Sequence, residues 1–238
     1  MLFVACNANT FFVKTPEIIA TADRSHTLFH RELNEHYHSV NGAITESQHV
    51  FLANGFCSVA GRQVAVLEAG FGTGLNALLT AMEAARSGRE VRYVSLEKFP
   101  LAPEVAGRLN YPDLLGEDAA ALFLALHRAP WNEELQVTPF FALTKIRLDL
   151  VTDPLPALPA FDVVYFDAFG PDKQPEMWQP AVLSKMTGAL APGGVFVTYS
   201  AKGEVRRNLQ ALGLSVERVP GPPGKKEMLR GIKIASPR

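Results

Sequence analysis

Apolar and polar positions along this chain fall into blocks whose period switches between extended and helical. "QVAVLEA" (63–69), "VRYVSLE" (91–97), "FDVVYF" (161–166) and "GGVFVTYS" (193–200) are short runs rich in β-branched and aromatic residues and predict buried strands. "LNALLTAMEAARSG" (75–88) sets Leu75, Leu78, Leu79, Met82 and Ala85 at helical spacing and stops at Gly88; "GEDAAALFLALHRA" (116–129) and "KGEVRRNLQALG" (202–213) repeat the pattern. "LQVTPFFALTKIRLDL" (135–150) holds extended pieces. Strands alternating with helices predict an α/β fold, a parallel sheet with helices on both faces.

Two stretches break the rhythm. "VTDPLPALPA" (151–160) has too many prolines for a helix and predicts an irregular crossover. "LSVERV" (214–219) and "MLRGIKIA" (228–235) both read as strands, yet only "PGPPGKKE" joins them. A parallel crossover needs a dozen or more residues, so the end of the chain predicts an antiparallel hairpin and a reversed last strand. Residues 1–60 differ in kind. They predict an N-terminal extension, with a helix starting near Thr45 or Ser47, packed over the ligand edge of the sheet or along its flank. Residues 61–238 form the core, and the two together one structural domain.

Composition narrows this picture. The chain has 238 residues, 47% of them hydrophobic and 20% charged, without repeats or a membrane-length apolar run. The opening "MLFVACNANTFFV" lacks a basic leader and a cleavage site, so it reads as a frayed strand or an extension from an early start codon. Cys6 and Cys57 lack metal-ligand spacing and fit a reducing cytoplasm. His26, His30, His36, His38 and His49 match no zinc pattern, and no metal is expected. The net charge is −1, but the segment from Lys202 onward carries +6 on a body of −7. A basic end on an acidic body suggests a local patch for a polyanion.

The strongest local signal is "LEAGFGTGLN" (67–76), where a strand ends in Gly70, Gly72 and Gly74 and a helix begins. Glycines let backbone approach a ligand closely, and a helix N-terminus offers free N–H groups. The dinucleotide spacing G-x-G-x-x-G would need glycine where Leu75 stands. The tighter G-x-G-x-G after Glu68 resembles the loop of S-adenosylmethionine methyltransferases. Glu97 closes the next strand, where an acid suits ribose hydroxyls. Asp149, after the third strand, is a candidate partner for an adenine amino group. Cofactor-binding candidates are therefore Glu68, Gly70, Gly72, Gly74, Asn76, Glu97, Lys98 and Asp149. "YFDAFGPDKQPEMW" (165–178) adds an acid, Asp167, at the carboxyl end of the fourth strand, followed by rigid and aromatic residues.

Together with "GAITESQHVFL" (42–52) and "GKKEML" (224–229), these motifs resemble the methyltransferase half of the bacterial tRNA 5-methylaminomethyl-2-thiouridine biosynthesis family, MnmC, over roughly residues 24–235. In fused members an FAD-dependent oxidoreductase domain follows; this chain, ending at Arg238, looks like the stand-alone form, MnmD. The resemblance implies a class I methyltransferase sheet, S-adenosyl-L-methionine as cofactor, a cytoplasmic location, and a separate upstream oxidoreductase partner. It implies methyl transfer to the primary amine of 5-aminomethyl-(2-thio)uridine at the tRNA wobble position. Gly170 departs from the family pattern, in which alanine is commoner.

The chemistry then assigns candidates. Asp167 orients the amine and stabilises the charge growing on nitrogen, and the proton leaves to water or to a neighbour such as Tyr199 or Glu46. Phe169, Met177 and Trp178 are candidates for the wall against which an extruded uracil packs. Lys202, Arg206, Arg207, Lys225 and Lys226 are candidates for phosphates of the anticodon arm. An aminopropyltransferase, a small-molecule N-methyltransferase and a non-catalytic tRNA-binding module are the alternatives.

Overall fold

The computed structural model describes residues 16–235; the opening apolar run, Cys6 and Arg238 lie outside them. The described chain enters through a small antiparallel sheet of β1 (Glu17–Ala20), β2 (His26–His30) and β3 (Glu35–His36). Helix α1 (Ala43–Ser47) follows and widens into π-helical turns over Gln48–Ala53. This helix starts ahead of the predicted Thr45 because its first N–H groups are capped from far away in sequence. Asp23 accepts from the Thr45 N–H at 2.9 Å, and the Ser25 hydroxyl from Ala43 at 3.1 Å.

The core then alternates as the pattern predicts. In order come β4 (Gln63–Ala69), α2 (Leu75–Ser87), β5 (Glu90–Glu97) and the helices α3 (Pro103–Ala106), α4 (Tyr111–Leu115) and α5 (Glu117–Arg128). Next are β6 (Glu134–Thr138), β7 (Phe141–Arg147), β8 (Phe161–Phe166), α6 (Pro180–Gly188), β9 (Leu190–Thr198) and α7 (Gly203–Ala211). The strands β10 (Leu214–Pro220) and β11 (Glu227–Lys233) close the chain as an antiparallel hairpin. The proline-rich crossover before β8 has no helix, as its composition predicts.

The main sheet runs β10-β11-β9-β8-β4-β5-β7-β6. Strands β9, β8, β4, β5 and β7 are parallel, and β11 lies antiparallel between β9 and β10. The reversed last strand is thus where the short "PGPPGKKE" linker predicts it. The opposite edge adds a second reversed strand: β6 pairs antiparallel with β7, an orientation the extended pieces of 135–150 did not disclose.

Alternate residues of each central strand part to opposite faces, and both faces are covered. Val64, Val66, Tyr93, Phe141, Leu143 and Tyr165 pack against the α2/α5 side. Leu67, Val94, Leu96, Val164, Phe166 and Phe196 pack against the α6/α7 side. Burial on both faces explains why these strands read as nearly continuous apolar runs.

The N-terminal extension, expected over the ligand edge or along the flank, touches the core at two places. Its sheet sits over the ligand edge, where the Asn110 side chain accepts the His26 N–H at 2.8 Å and Lys173 donates to the Asn34 carbonyl at 3.0 Å. Its helix lines the flank, burying Phe51 with its ring 5.3 Å from Tyr165 on β8. Replacing Phe51 by Ala should destabilise the protein by about 3–5 kcal/mol, the usual cost of emptying such a position. Urea denaturation checks this, and a loss below about 1 kcal/mol would show the extension to be an independent appendage.

Candidate active site

The glycine loop between β4 and α2 is held from three directions. Gly70 (φ +92°) brings its backbone against the carbonyl of Asp167, where a Cβ would stand 3.3 Å from that oxygen. Gly74 (φ +74°) lies under His127 and Phe71, with space for a Cβ only 3.0 Å from His127 Nε2. Between them, Thr73 hydrogen-bonds through its hydroxyl to His38 Nε2 at 2.8 Å and through its carbonyl to His127 Nε2 at 3.1 Å. Burial lowers both imidazoles to a pKa of about 4; His127 therefore stays neutral and donates. Lys145 on β7 supports the same loop from below. It is only 1% exposed, donates to the His127 carbonyl at 2.9 Å, and lies 5.1 Å from the Phe71 ring and 4.8 Å from that of Trp131.

Glu97 ends β5 beside this loop. Its carboxylate accepts from Gly72 N–H at 3.0 Å and Phe99 N–H at 2.7 Å, which presents it at the mouth of the loop. Lys98 turns away to pair with Asp149 at 2.6 Å. Burial works to raise the Asp149 pKa, but the Lys98 hydrogen bond and the Val151 N–H outweigh it and hold the carboxyl below its ordinary value.

Asp167 leaves the carboxyl end of β8, and Asn76 in the first turn of α2 reaches it. The Asn76 Nδ2 donates to Asp167 at 2.9 Å and to Glu68 at 3.1 Å. Glu68 is 1% exposed and also accepts from Ser95, its neighbour across β5, at 2.6 Å. Burial pushes Glu68 up to about 8, the Ser95 hydrogen bond opposing and the Asp167 charge adding. Burial likewise raises Asp167 to about 7, assisted by the Glu46 charge and opposed by Asn76 and Lys225. Glu68 therefore lies beneath the loop and holds Asn76, rather than facing a ligand.

Beyond Asp167 a cleft of about 410 Å³ opens, lined among others by Gly170, Tyr199, Ser200, Lys202, Lys225 and Glu227. Tyr199 donates to the Ala168 carbonyl at 2.8 Å. Phe169 stands half-buried, its ring edge-on to Tyr37 at 5.1 Å and to His30 at 5.8 Å. Met177 packs partly buried against the α6/α7 core.

Three expectations need correcting. Trp178 is 4% exposed, donates to the Phe169 carbonyl at 2.7 Å and packs edge-on against Phe166; it is core, not a wall. Lys225 does not face outward for phosphates, because it is ion-paired at 2.7 Å with the buried Glu46. Lys202 pairs with Asp172. Arg207 and Lys226 are exposed, and Arg206 is half-buried with its Nε lacking a partner. The histidines of the extension serve as ties: His38 to Thr73, His26 to Arg108, His49 to Pro220. Tyr37, His127, Lys145 and Ser95 were missed. Ser95 and Lys145 carried a signal, each being a polar residue inside an otherwise apolar strand.

A sequence model of the S-adenosyl-L-methionine-dependent methyltransferases matches residues 125–234. The chain is 35% identical over 225 residues to the tRNA 5-methylaminomethyl-2-thiouridine biosynthesis bifunctional protein MnmC of Pseudomonas aeruginosa, covering 87% of this chain and 34% of that protein. Over most of its length the chain is similar to the methyltransferase part of such proteins. The MnmC of Chromobacterium violaceum is also 35% identical over 225 residues, with 84% of this chain and 32% of that protein covered. The chain thus spans about a third of the length of the curated relatives it matches. The crystal structure of MnmC2 from Aquifex aeolicus superposes with a TM-score of 0.76 at 28% identity, covering 93% of this chain and 71% of that one.

The enzyme is a SAM-dependent methyltransferase of Rossmann-like class I fold, and its residues fit that cofactor. A loop without side chains at Gly70 and Gly72 leaves a cradle beside the Glu97 carboxylate, and the buried Asn76 Oδ1 has no partner of its own. Among the described residues no helix is long and apolar enough to cross a membrane.

The two raised carboxyls have opposite consequences from a salt-bridged acid. A folded-state pKa above the unfolded one contributes stability below the unfolded value, which is lost as pH rises through the folded value. For Glu68 that window runs from about 4.5 to about 8. Glu68→Gln, which removes the titration and keeps the shape, should therefore gain on the wild type in melting temperature as pH rises through this range. A constant difference between pH 4.5 and 8 would show that Glu68 does not titrate there.

Proposed function

We propose that this methyltransferase transfers a methyl group to the primary amine of 5-aminomethyl-(2-thio)uridine at the tRNA wobble position, with Asp167 accepting the amine proton. The observation that carries this reading is the setting of Asp167, an acid at the ligand edge of the sheet whose pKa burial raises to about 7. Three further observations support it: identity to relatives named for 5-methylaminomethyl-2-thiouridine biosynthesis, the basic segment from Lys202 onward, and the cleft beside Tyr199.

S-adenosyl-L-methionine supplies an electrophilic methyl group on a sulfonium centre. The remaining work is placement and proton removal. Gly70, Gly72 and Gly74 with Glu97 hold the cofactor, and Lys98 with Asp149 brace the adenine side. Asn76 fixes Asp167 against the loop. A primary amine arrives in water largely as ammonium, which has no lone pair to attack with. A carboxylate of ordinary pKa would keep it so, whereas one tuned near neutrality takes that proton. Asp167, fixed by Asn76, would then hold the amine with its freed lone pair turned toward the methyl group that the cofactor would supply. Orientation of this kind is worth roughly 7–11 kcal/mol. Phe169, with Tyr37 behind it, forms the aromatic wall for the uracil. The N-terminal extension acts in one domain with the core, and Arg206, Arg207 and Lys226 face the anticodon-arm phosphates.

Incubation with SAM and tRNA carrying 5-aminomethyluridine tests the substrate, read by nucleoside mass spectrometry. The expected result is one added methyl on that nucleoside; turnover of a polyamine or a small amine alone would overturn it. Asp167→Asn should lower kcat about 10²–10⁴-fold and leave SAM affinity unchanged. It should also abolish the rise of rate with pH through about 7. Equal losses in kcat and affinity would place Asp167 in the cofactor site. Arg207→Glu and Lys226→Glu should each reduce the slope of log affinity for tRNA against log salt by about one phosphate contact.

A further inference from the structure

Lys225 and Glu46 are 179 positions apart in sequence and meet at 2.7 Å beside Asp167. Glu46 is 5% exposed on α1, and its second oxygen accepts the Ser39 N–H at 2.7 Å. Lys225, in the loop between β10 and β11, spreads its ammonium over the face of Tyr199, 3.8 Å from the ring centroid. Tyr199 in turn is anchored on Ala168, next to Asp167. Lys225 lines the cleft and Glu46 backs it from α1, at the seam between extension and hairpin. Burying an ion pair costs desolvation that packed apolar groups would avoid. The seam is also joined without it, by His49 Nε2 on the Pro220 carbonyl at 2.8 Å.

We propose that the Glu46–Lys225 pair is a positioning device for the methylation reaction: it sets the charge around Asp167, so that the substrate amine is received and held uncharged. This rests on the amine-methylation reading above. The two members act in opposite directions. The Glu46 carboxylate opposes ionisation of Asp167, and the Lys225 ammonium favours it. The ammonium also repels a second cation, so an amine that has kept its proton is disfavoured beside it. Around Asp167 the remaining titratable groups are Glu68 and Tyr93 of the sheet, Tyr111 of α4 and Tyr199 after β9. His38 faces Glu46 and Lys225. Burial keeps the three tyrosines protonated, burial keeps His38 neutral, and Glu68 holds its proton below about 8. That leaves Glu46 and Lys225 as the charged neighbours that act on Asp167 at neutral pH.

The test compares wild type, Lys225→Met, Glu46→Gln and Lys225→Arg. Two readouts are used: 13C NMR titration of the aspartate carboxyls, with Asp167→Asn assigning the signal, and the pH profile of kcat on the modified tRNA. Lys225→Met should move the Asp167 midpoint up, and Glu46→Gln should move it down, each by about one pH unit. Lys225→Arg should restore the wild-type midpoint. Calorimetry should find SAM affinity within about twofold of wild type in all three, the expectation for a group outside the cofactor site. Midpoints that stay put or move together would overturn the proposal. Loss of SAM binding in both single variants would overturn it too, reducing the pair to a structural clasp. The NMR titration needs no substrate. A protein that shows opposed shifts but leaves the tRNA unmethylated would therefore refute the substrate reading alone.

Discussion

One amide nitrogen joins the two halves of the site. Asn76 Nδ2 reaches Glu68 on one side and Asp167 on the other, at 3.1 and 2.9 Å, from the first turn of α2. Everything at the ligand edge is arranged so that this contact can be made. Gly70 must lack a side chain for β4 to turn against the Asp167 carbonyl, and Gly74 must adopt φ +74° for α2 to start where it does. Ser95 holds the far oxygen of Glu68. Burial raises both pKa values, and the one neutral partner they share offsets only part of that rise. A lysine or arginine in place of Asn76 would satisfy the acids better and leave Asp167 ionised at a lower pH.

The parallel core was legible because both of its faces are buried. Its strands therefore appear as apolar runs and its helices as amphipathic ones, and the terminal hairpin followed from linker length. The glycine loop was legible because its positive-φ turns and close backbone approach favour glycine. What escaped depended on contacts distant in sequence. The start of α1 is set by Asp23 and Ser25 from another turn. The reversed β6 looks locally like any other strand. The small sheet β1–β3 is too short to show a pattern.

The same reason accounts for the misplaced side chains. Trp178 carries the composition of a stacking platform, and only the tertiary hydrogen bond to the Phe169 carbonyl and the Phe166 ring reveal it as core. Lys225 and Lys226 are neighbours of identical type in a basic loop. One turns inward to Glu46 and the other outward, a distinction set by a partner on α1. Ser95 and Lys145 were the readable exceptions, since polar groups inside buried strands must find partners there.

The seam between α1 and the terminal hairpin also fixes when the cleft can exist. Its ion pair spans 179 positions, and one partner lies in the last turn before the final strand. Contacts of such separation form late, because the entropy of closing the chain must be met before they return anything. During synthesis the glycine loop and Asp167 emerge well before Lys225 does. A nascent chain can thus assemble its glycine loop while the cleft is still missing a wall, and that wall arrives only when the C-terminal hairpin docks.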